Sequence, residues 1–358
     1  MHCCSECFSS SYLKDIINSN ATTGNCDFCG TTNIAIYDPK ELALFFQNIF
    51  DLYRVDSKIG ASIEIQIELD FLGKIFSNKI SINRKKLLNE IIADDFDKYK
   101  RIFKGKVALK HINNKKKNTK VKPLQISWEK FAEEIKSTNR FHIQNALDLL
   151  KLEQLLNRYE RQIPRGKKYF RARISDNMAG FKIGEMKNPP PEKAKGGRAN
   201  PLGISYLYIA NDIKTTLYEA RASLFDYVTV GSFRLREDIR VINLRGDTYD
   251  PIFLAEQGEL EDFLIHLPFI TKLEQELSKP RRRSDNELDY LPTQYLSEFI
   301  KSIGFDGVEF QSSLYPQGYN LAIFNPVKFE CIKVEVFDIE KIDLTHKPIT
   351  YSGSSNAQ

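Results

Sequence analysis

The chain has 358 residues, 42% of them hydrophobic and 28% charged, with a formal net charge of +5. This length exceeds one ordinary core and fits two domains with room for a small third module. The composition suits a folded protein, no run of 18 apolar residues offers a membrane span, and the mild basic excess does not by itself argue for nucleic acid, although it suits an anionic small ligand or a weak polyanion contact.

The first segment, MHCCSECFSS, has neither a basic start nor an apolar stretch of secretory type, so a cytoplasmic location is expected. Five of six cysteines fall in the first 29 residues. In a reducing compartment they are not expected as disulfides. Cys4-x2-Cys7 is followed after 18 residues by Cys26-x2-Cys29 and then Gly30. Two such knuckles suit a closed tetrahedral thiolate site for structural zinc, with Cys3 or His2 as an alternative ligand. Residues 1–35 hold too little apolar material for a core, so a metal would supply folding energy. The competing reading is a set of free or redox-active thiols.

From Pro39 to Asp51 the spacing of Leu42, Leu44, Phe45, Ile49 and Phe50 predicts an amphipathic helix. Ser62–Leu69, SIEIQIEL, alternates like a strand but runs into the more helical DFLGKIF, and both readings stay open. Leu87–Ile102 reads as helix. The basic run Lys110–Pro123 reads as a solvated loop rather than a polyanion contact. Trp128–Ile135 and Ile143–Arg158 read as helices, so residues 36–160 form a mainly helical domain. His142 beside Arg140 lacks the spacing of a nucleolytic Arg/His pair and reads as a surface or packed histidine.

After Pro164 the texture changes to short aromatic and β-branched runs: KKYFRARI, SYLYIA, DYVTVGSFRL, RVINL, GVEF and YNLAIF. Gly, Pro and Asn punctuate them, which predicts strands and turns. Helices are expected at Thr215–Arg221, Phe253–His266 and Leu291–Ile303. The fold class is therefore α+β over residues 161–340, with a C-terminal tail at 341–358. Arg281–Arg283 reads as a solvated loop. Within NPPPEKAKGGRANPLGISYLYIANDIKTTLYEAR, Arg198, Tyr208 and Glu219 follow one another at intervals of 10 and 11 residues across a loop, a strand and a helix.

These blocks, with GFDGVEFQSS and YNLAIFNP, resemble the RES-domain family, the toxin components of bacterial toxin–antitoxin pairs. The likeness spans about residues 165–337 and is most specific around GRANP, LYIA and the helix bearing Glu219. The N-terminal part more loosely resembles a HEPN-related domain found ahead of some RES domains. The resemblance implies an ADP-ribosyltransferase-like fold and an enzyme that degrades NAD+ at the nicotinamide–ribose bond, as a glycohydrolase or phosphorylase. It places the family's arginine on Arg198, tyrosine on Tyr208, glutamate on Glu219 and serine on Ser312, with Ser313 the near alternative. An earlier arginine falls on Arg171, or on Arg173 because the preceding tyrosine is displaced to Tyr169.

Elementary chemistry agrees with those types. Breaking an N-glycosidic bond passes through an oxocarbenium-like state, which a carboxylate near the ribose stabilises. Nicotinamide leaves neutral, so no strong acid is required. Arginine forks match pyrophosphate oxygens, and Gly196 and Gly197 allow close backbone approach beside Arg198. Tyr208 supplies a ring face or a hydroxyl, and Ser312 a hydrogen bond. Such an activity implies restraint by an antitoxin or regulatory protein, and the N-terminal part can serve as sensor, partner site or homo-oligomer contact. Two rival readings are transfer of ADP-ribose to a macromolecule, and a nucleic-acid-binding regulator with a degenerate RES domain.

Overall fold

A computed structural model describes residues 1–58, 60–110, 128–143, 148–246, 249–280 and 285–342. Most of the basic run after Lys110, the arginines 281–283 and the tail from residue 343 lie outside the described residues. The chain divides into two units, residues 1–159 with 246–273, and residues 160–245 with 274–358.

In the first unit, β1 (Cys3–Cys4), β2 (Thr23–Gly24) and β3 (Ile34–Tyr37) form a small antiparallel sheet in the order β1-β3-β2. Between β1 and β2 runs α1 (Ser11–Asn18), started by Ser10, whose hydroxyl accepts the Leu13 N–H at 3.1 Å. The same hydroxyl donates to Asp250, which caps the helix Pro251–Glu256 through the Ile252 N–H at 3.0 Å. One short acid thus ties two helix starts together.

The expected helix after Pro39 becomes a 3-10 turn, Pro39–Leu42, and α2 (Ala43–Phe50). β4 (Tyr53–Val55) pairs antiparallel with β5 (Val107–Leu109), a pair of strands absent from the helical reading. The ambiguous SIEIQIEL is α3 (Ile63–Asp70). Ile63 and Ile67 are buried while Ile65 and Leu69 are 51% and 61% exposed, a period of four and not of two. The stretch read as one helix over Leu87–Ile102 is α4 (Arg84–Ile91) and α5 (Phe96–Lys104), separated by a turn at Ala93–Asp95. Asp94 and Asp95 favour such a break because short acids compete for backbone N–H groups. α6 (Trp128–Glu133) and α7 (Leu149–Asn157) follow. Aromatic rings fill this core: Phe46 stacks on Phe76 at 5.8 Å, and Phe50 meets Tyr99 and Phe103 edge-on at 5.2 and 5.3 Å.

The second unit is built on one eight-stranded sheet. Its strands are β6 (Glu160–Ile163), β7 (Lys168–Ser175), β8 (Leu207–Ala210), β9 (Tyr227–Leu235), β10 (Ile239–Asn243), β11 (Gly307–Gln311), β12 (Tyr319–Ile323) and β13 (Phe329–Asp338). The spatial order is β13-β9-β7-β8-β12-β11-β10-β6, antiparallel throughout except for β10 and β11. A parallel pair requires a long crossover, and the chain supplies one that includes the helix Leu291–Ser302. All six strand runs expected from sequence are present; β6 and β13 are additional. Just after the helix expected to end at Arg158, α7 stops at Asn157 and Ile163 of β6 pairs with Ile239. Tyr169, Met186, Leu207, Phe233, Val241 and Leu321 belong to one buried cluster of this unit. α8 (Ile213–Glu219) connects β8 to β9.

Candidate functional site

The GRANP loop is held by Asn200, which is 3% exposed. Its amide donates to the carbonyls of Lys195, Pro201 and Ile204 at 3.0, 3.2 and 2.8 Å. Its Oδ1 accepts the Tyr208 hydroxyl at 2.7 Å. A Cβ on Gly197 would lie 2.6 Å from that Oδ1 and 3.2 Å from the Tyr208 oxygen, so the glycine is required by the Tyr208–Asn200 bond itself. Gln294 closes the loop from outside, donating to the Gly197 and Asn200 carbonyls at 2.8 and 3.1 Å.

This loop presents Arg198, whose guanidinium donates to Asp285 at 3.0 Å and to the Glu276 and Pro280 carbonyls at 3.3 Å each. It also lies over the Tyr290 ring, 4.7 Å from the centroid. A guanidinium has five N–H donors, so these three bonds do not exhaust it. Tyr208 stands on β8, and burial holds its phenol well above the usual tyrosine range.

α8 delivers Glu219. Asp212 caps the helix, accepting the Thr215 N–H at 2.8 Å. The buried Thr216 hydroxyl accepts the Ala172 N–H at 2.8 Å and so pins the helix to β7. A Cβ on Gly318 would fall 1.7 Å from the Thr215 hydroxyl, which forces glycine where the β11–β12 turn meets α8. That approach brings two donors to Glu219. The Ser312 hydroxyl, 2% exposed, donates to Oε1 at 2.6 Å, and the Asn320 amide donates to the same oxygen at 2.8 Å. Ser312 also accepts the Tyr315 N–H at 3.1 Å, which fixes its rotamer.

Arg171, Arg198, Tyr208, Glu219, Ser313 and Asn320 line one cavity of about 570 Å³, a volume within the usual range of small-molecule sites. Among the described residues, Glu219 is the one acid in a wall that also carries Arg171, Arg198, Arg221 and Lys279. Such a wall suits an anionic ligand with one centre of developing positive charge. Of the two arginines left open by the sequence, Arg171 is in the wall. Its guanidinium donates to the Lys187 carbonyl at 2.9 Å, and burial followed by the Arg173 charge pushes its pKa down to about 10. It therefore keeps its charge at neutral pH. Arg173 is not in the wall; it donates to the Glu185 carbonyl and covers the Phe181 ring at 3.9 Å. Ser312 stands behind Glu219 and acts on it, while Ser313 faces the cavity. Sequence reasoning missed Asn200, Thr216 and Asn320. A polar residue inside an apolar strand run, as in YNLAIF, is the signal that marks Asn320.

At the N-terminus, Cys4, Cys7, Cys26 and Cys29 bring their Sγ atoms within 4.8 Å of one another. Cys4 and Cys29 are 3.4 Å apart and Cys7 and Cys26 3.3 Å. The edge of a zinc–thiolate tetrahedron is about 3.8 Å, from Zn–S bonds of about 2.3 Å, so the donor set fits one metal ion. The backbone N–H groups of Phe28 and Cys29 point at the Cys26 sulfur, each at 3.4 Å, as charge on that sulfur requires. Hydrogen bonding to Cys26 and Cys4, then burial, raises the Cys7 thiol far above its ordinary value. Cys3 is outside the cluster and lies 3.5 Å from the Tyr37 carbonyl, and the His2 backbone pairs with Asp27, its N–H donating to the carboxylate at 2.6 Å and its carbonyl accepting the Asp27 N–H at 3.0 Å. Neither alternative ligand is in place.

No curated protein matches this chain. Among solved structures, a chain from the M. tuberculosis MbcT–MbcA toxin–antitoxin complex is similar at 14% identity and a TM-score of 0.31, covering 52% of this chain and 91% of that one. No helix among the described residues is long and apolar enough to cross a membrane. The family model of the RES domain matches residues 165–345. That span is just over half of the chain and contains every residue of the cavity wall, and the chain belongs to the RES-domain family.

Proposed function

We propose that this protein is a toxin or defence effector that degrades NAD+ by cleaving the nicotinamide–ribose bond, with residues 161–340 as its catalytic domain. The reading rests on one observation above all: among the described residues, Glu219 is the one carboxylate in a wall of cations. Ser312 and Asn320 both donate to Oε1. Oε2 is left for the ribose hydroxyls and for the charge that develops at C1′ as nicotinamide departs. Arg171 and Arg198 receive the pyrophosphate. The Tyr208 hydroxyl is engaged by Asn200, so its ring is what it offers the ligand. Water or inorganic phosphate then takes the ADP-ribosyl group.

Restraint by an antitoxin that covers the cavity, and action in the cytoplasm, follow from the same reading. The four N-terminal cysteines are read as a structural zinc site, closed and with no catalytic position. Residues 1–35 are read as that zinc module and residues 36–160 as a HEPN-like domain that senses a trigger or holds a partner.

Incubating the protein with NAD+, with and without phosphate, tests the activity. Wild type is expected to release nicotinamide, and Glu219→Gln to lose at least about a hundredfold in kcat, the usual effect of removing a key electrostatic group. Equal consumption by both proteins would sink the site assignment. Free ADP-ribose identifies water as the acceptor, its 1″-phosphate identifies phosphate, and a labelled macromolecule would replace this reading with transfer.

A further inference from the structure

The turn between β11 and β12 lies along one face of α8 and meets it at two points. At one, an added Cβ on Gly318 would fall 1.7 Å from the Thr215 hydroxyl. At the other, the Tyr315 ring stacks on the Tyr218 ring, with centroids 5.4 Å apart and planes 8° from parallel. The Lys214 ammonium lies 5.0 Å from the centroid of the same Tyr315 ring. Lys214 and Tyr218 are four apart on the helix, and Thr215 and Tyr218 three apart, so the contacts share one helix face. Glu219 is the residue after Tyr218.

Tyr315 also reaches the site through its backbone. Its N–H donates to the Ser312 hydroxyl at 3.1 Å, and that hydroxyl donates to Glu219 Oε1 at 2.6 Å. A hydroxyl has one proton, and an N–H aimed at its oxygen turns that proton away, here toward the carboxylate. Bonds inside the turn fix its shape. The Ser312 N–H donates to the Gly318 carbonyl at 3.0 Å, the Gly318 N–H to the Tyr315 carbonyl at 2.9 Å, and the Gln311 amide to the Pro316 and Gly318 carbonyls at 2.6 and 2.7 Å. Those bonds shape the turn without tying it to α8. The ring pair makes that tie, and it closes a circuit from Glu219 through Ser312, Tyr315 and Tyr218 back to Glu219. The pair is not part of the core, since Tyr218 is 37% exposed and Tyr315 half-buried, and neither ring is in the cavity wall.

We infer that Tyr315 is a positioning residue: stacked on Tyr218, it holds the β11–β12 turn against α8 so that the Ser312 hydroxyl stays aimed at Glu219. Tyr218 is its counterpart on the helix. The inference rests on the NAD+ reading above and adds to it two residues that act on Glu219 through Ser312.

The test is a double-mutant cycle read by steady-state consumption of NAD+. Tyr315→Ala, Tyr315→Phe and Tyr218→Ala are compared with wild type, and each alanine variant is also made on Ser312→Ala. Tyr315→Ala is expected to lower kcat roughly 3- to 10-fold, the size of an aromatic-pair contribution. Its KM should stay within about twofold, because the reacting carboxylate is disturbed and the binding wall is not. Tyr315→Phe keeps the ring and is expected within about twofold of wild type. Tyr218→Ala removes the other half of the stack at an exposed position and is expected to match Tyr315→Ala; it carries the test if Tyr315→Ala does not fold. On Ser312→Ala, neither alanine change should slow the reaction further, because the pair acts through that hydroxyl. A loss as large on Ser312→Ala as on wild type would overturn the inference, making the pair a general support of the fold. So would an unchanged kcat in both alanine variants, a rise in KM alone, or a Tyr315→Phe variant as slow as Tyr315→Ala. Each of those results leaves the NAD+ reading standing, whereas a wild-type protein that leaves NAD+ intact would remove both.

Discussion

Asn320 shows how one residue sets the behaviour of another. Its amide and the Ser312 hydroxyl share a single oxygen of Glu219, so the carboxylate is aimed and not merely present. Asn320 is 8% exposed and sits mid-strand on β12, where it cannot turn to another partner without leaving the sheet. Removing a hydrogen bond to a charged group costs about 1.5–3 kcal/mol. Asn320→Ala is therefore expected to lower kcat for NAD+ by roughly 10- to 100-fold, with KM within about threefold, since the lost contact orients the reacting group. Asn320→Asp should be worse than alanine, because a second carboxylate faces Glu219. Steady-state kinetics on the two variants reads both effects, and a change in KM alone would assign Asn320 to binding. The sequence made Arg198, Tyr208 and Glu219 legible because loop, strand and helix signals each marked one of them. It hid Asn320 because the partner that gives it meaning, Glu219, lies about a hundred residues earlier and meets it only through the β8–β12 pairing.

Among the elements, legibility followed periodicity. The strands of the second unit alternate and are bounded by turn residues, and all six runs read from sequence are strands. SIEIQIEL resisted because a spacing of four satisfies both a strand and a helix: Ile63 and Ile67 fall on one face either way. Only the exposure of Ile65 and Leu69 separates the two, and that depends on what packs nearby. β6 was hidden for the opposite reason, since ERQI carries charges typical of a helix surface and becomes a strand by pairing with β10. The GRANP loop is the element on which the site depends most, and its two glycines are not equivalent. An added Cβ at Gly197 meets Asn200 at 2.6 Å, whereas at Gly196 the nearest atom is 3.7 Å away. Gly197→Ala is expected to cost about 1–3 kcal/mol by overpacking and to break the Tyr208–Asn200 bond. Gly196→Ala should be nearly neutral. Thermal unfolding of the two variants checks the contrast, and equal melting temperatures would show that the loop yields.

At the scale of the molecule, the N-terminal thiolates have a role that only the whole first unit can reveal. The small sheet that carries them is three strands of two to four residues, too little to be stable alone. A zinc ion would hold it, and elemental analysis of protein purified without chelator is expected to find one zinc per chain. Cys7→Ala and Cys26→Ala should lose the metal and lower the melting temperature, whereas Cys3→Ala should retain it, since Cys3 lies outside the cluster. Metal retained by Cys26→Ala, or lost by Cys3→Ala, would contradict the assigned ligand set.

The crossover between β10 and β11 carries a consequence for how the protein is made. Residues 246–273 leave the second unit's sheet and complete the first unit, where Phe263 stacks near Tyr159 and Phe269 near Trp128. On the ribosome, the first unit is therefore unfinished until β6 to β10 of the eight-stranded sheet have already emerged. Ser312 and Asn320 emerge later still, so in a nascent chain the first unit is complete in sequence before the two donors to Glu219 are made. A chain cut at residue 160 would not free a self-contained second unit; it would strand Ile252, Phe263 and Leu273, all buried in the intact protein, without their partners.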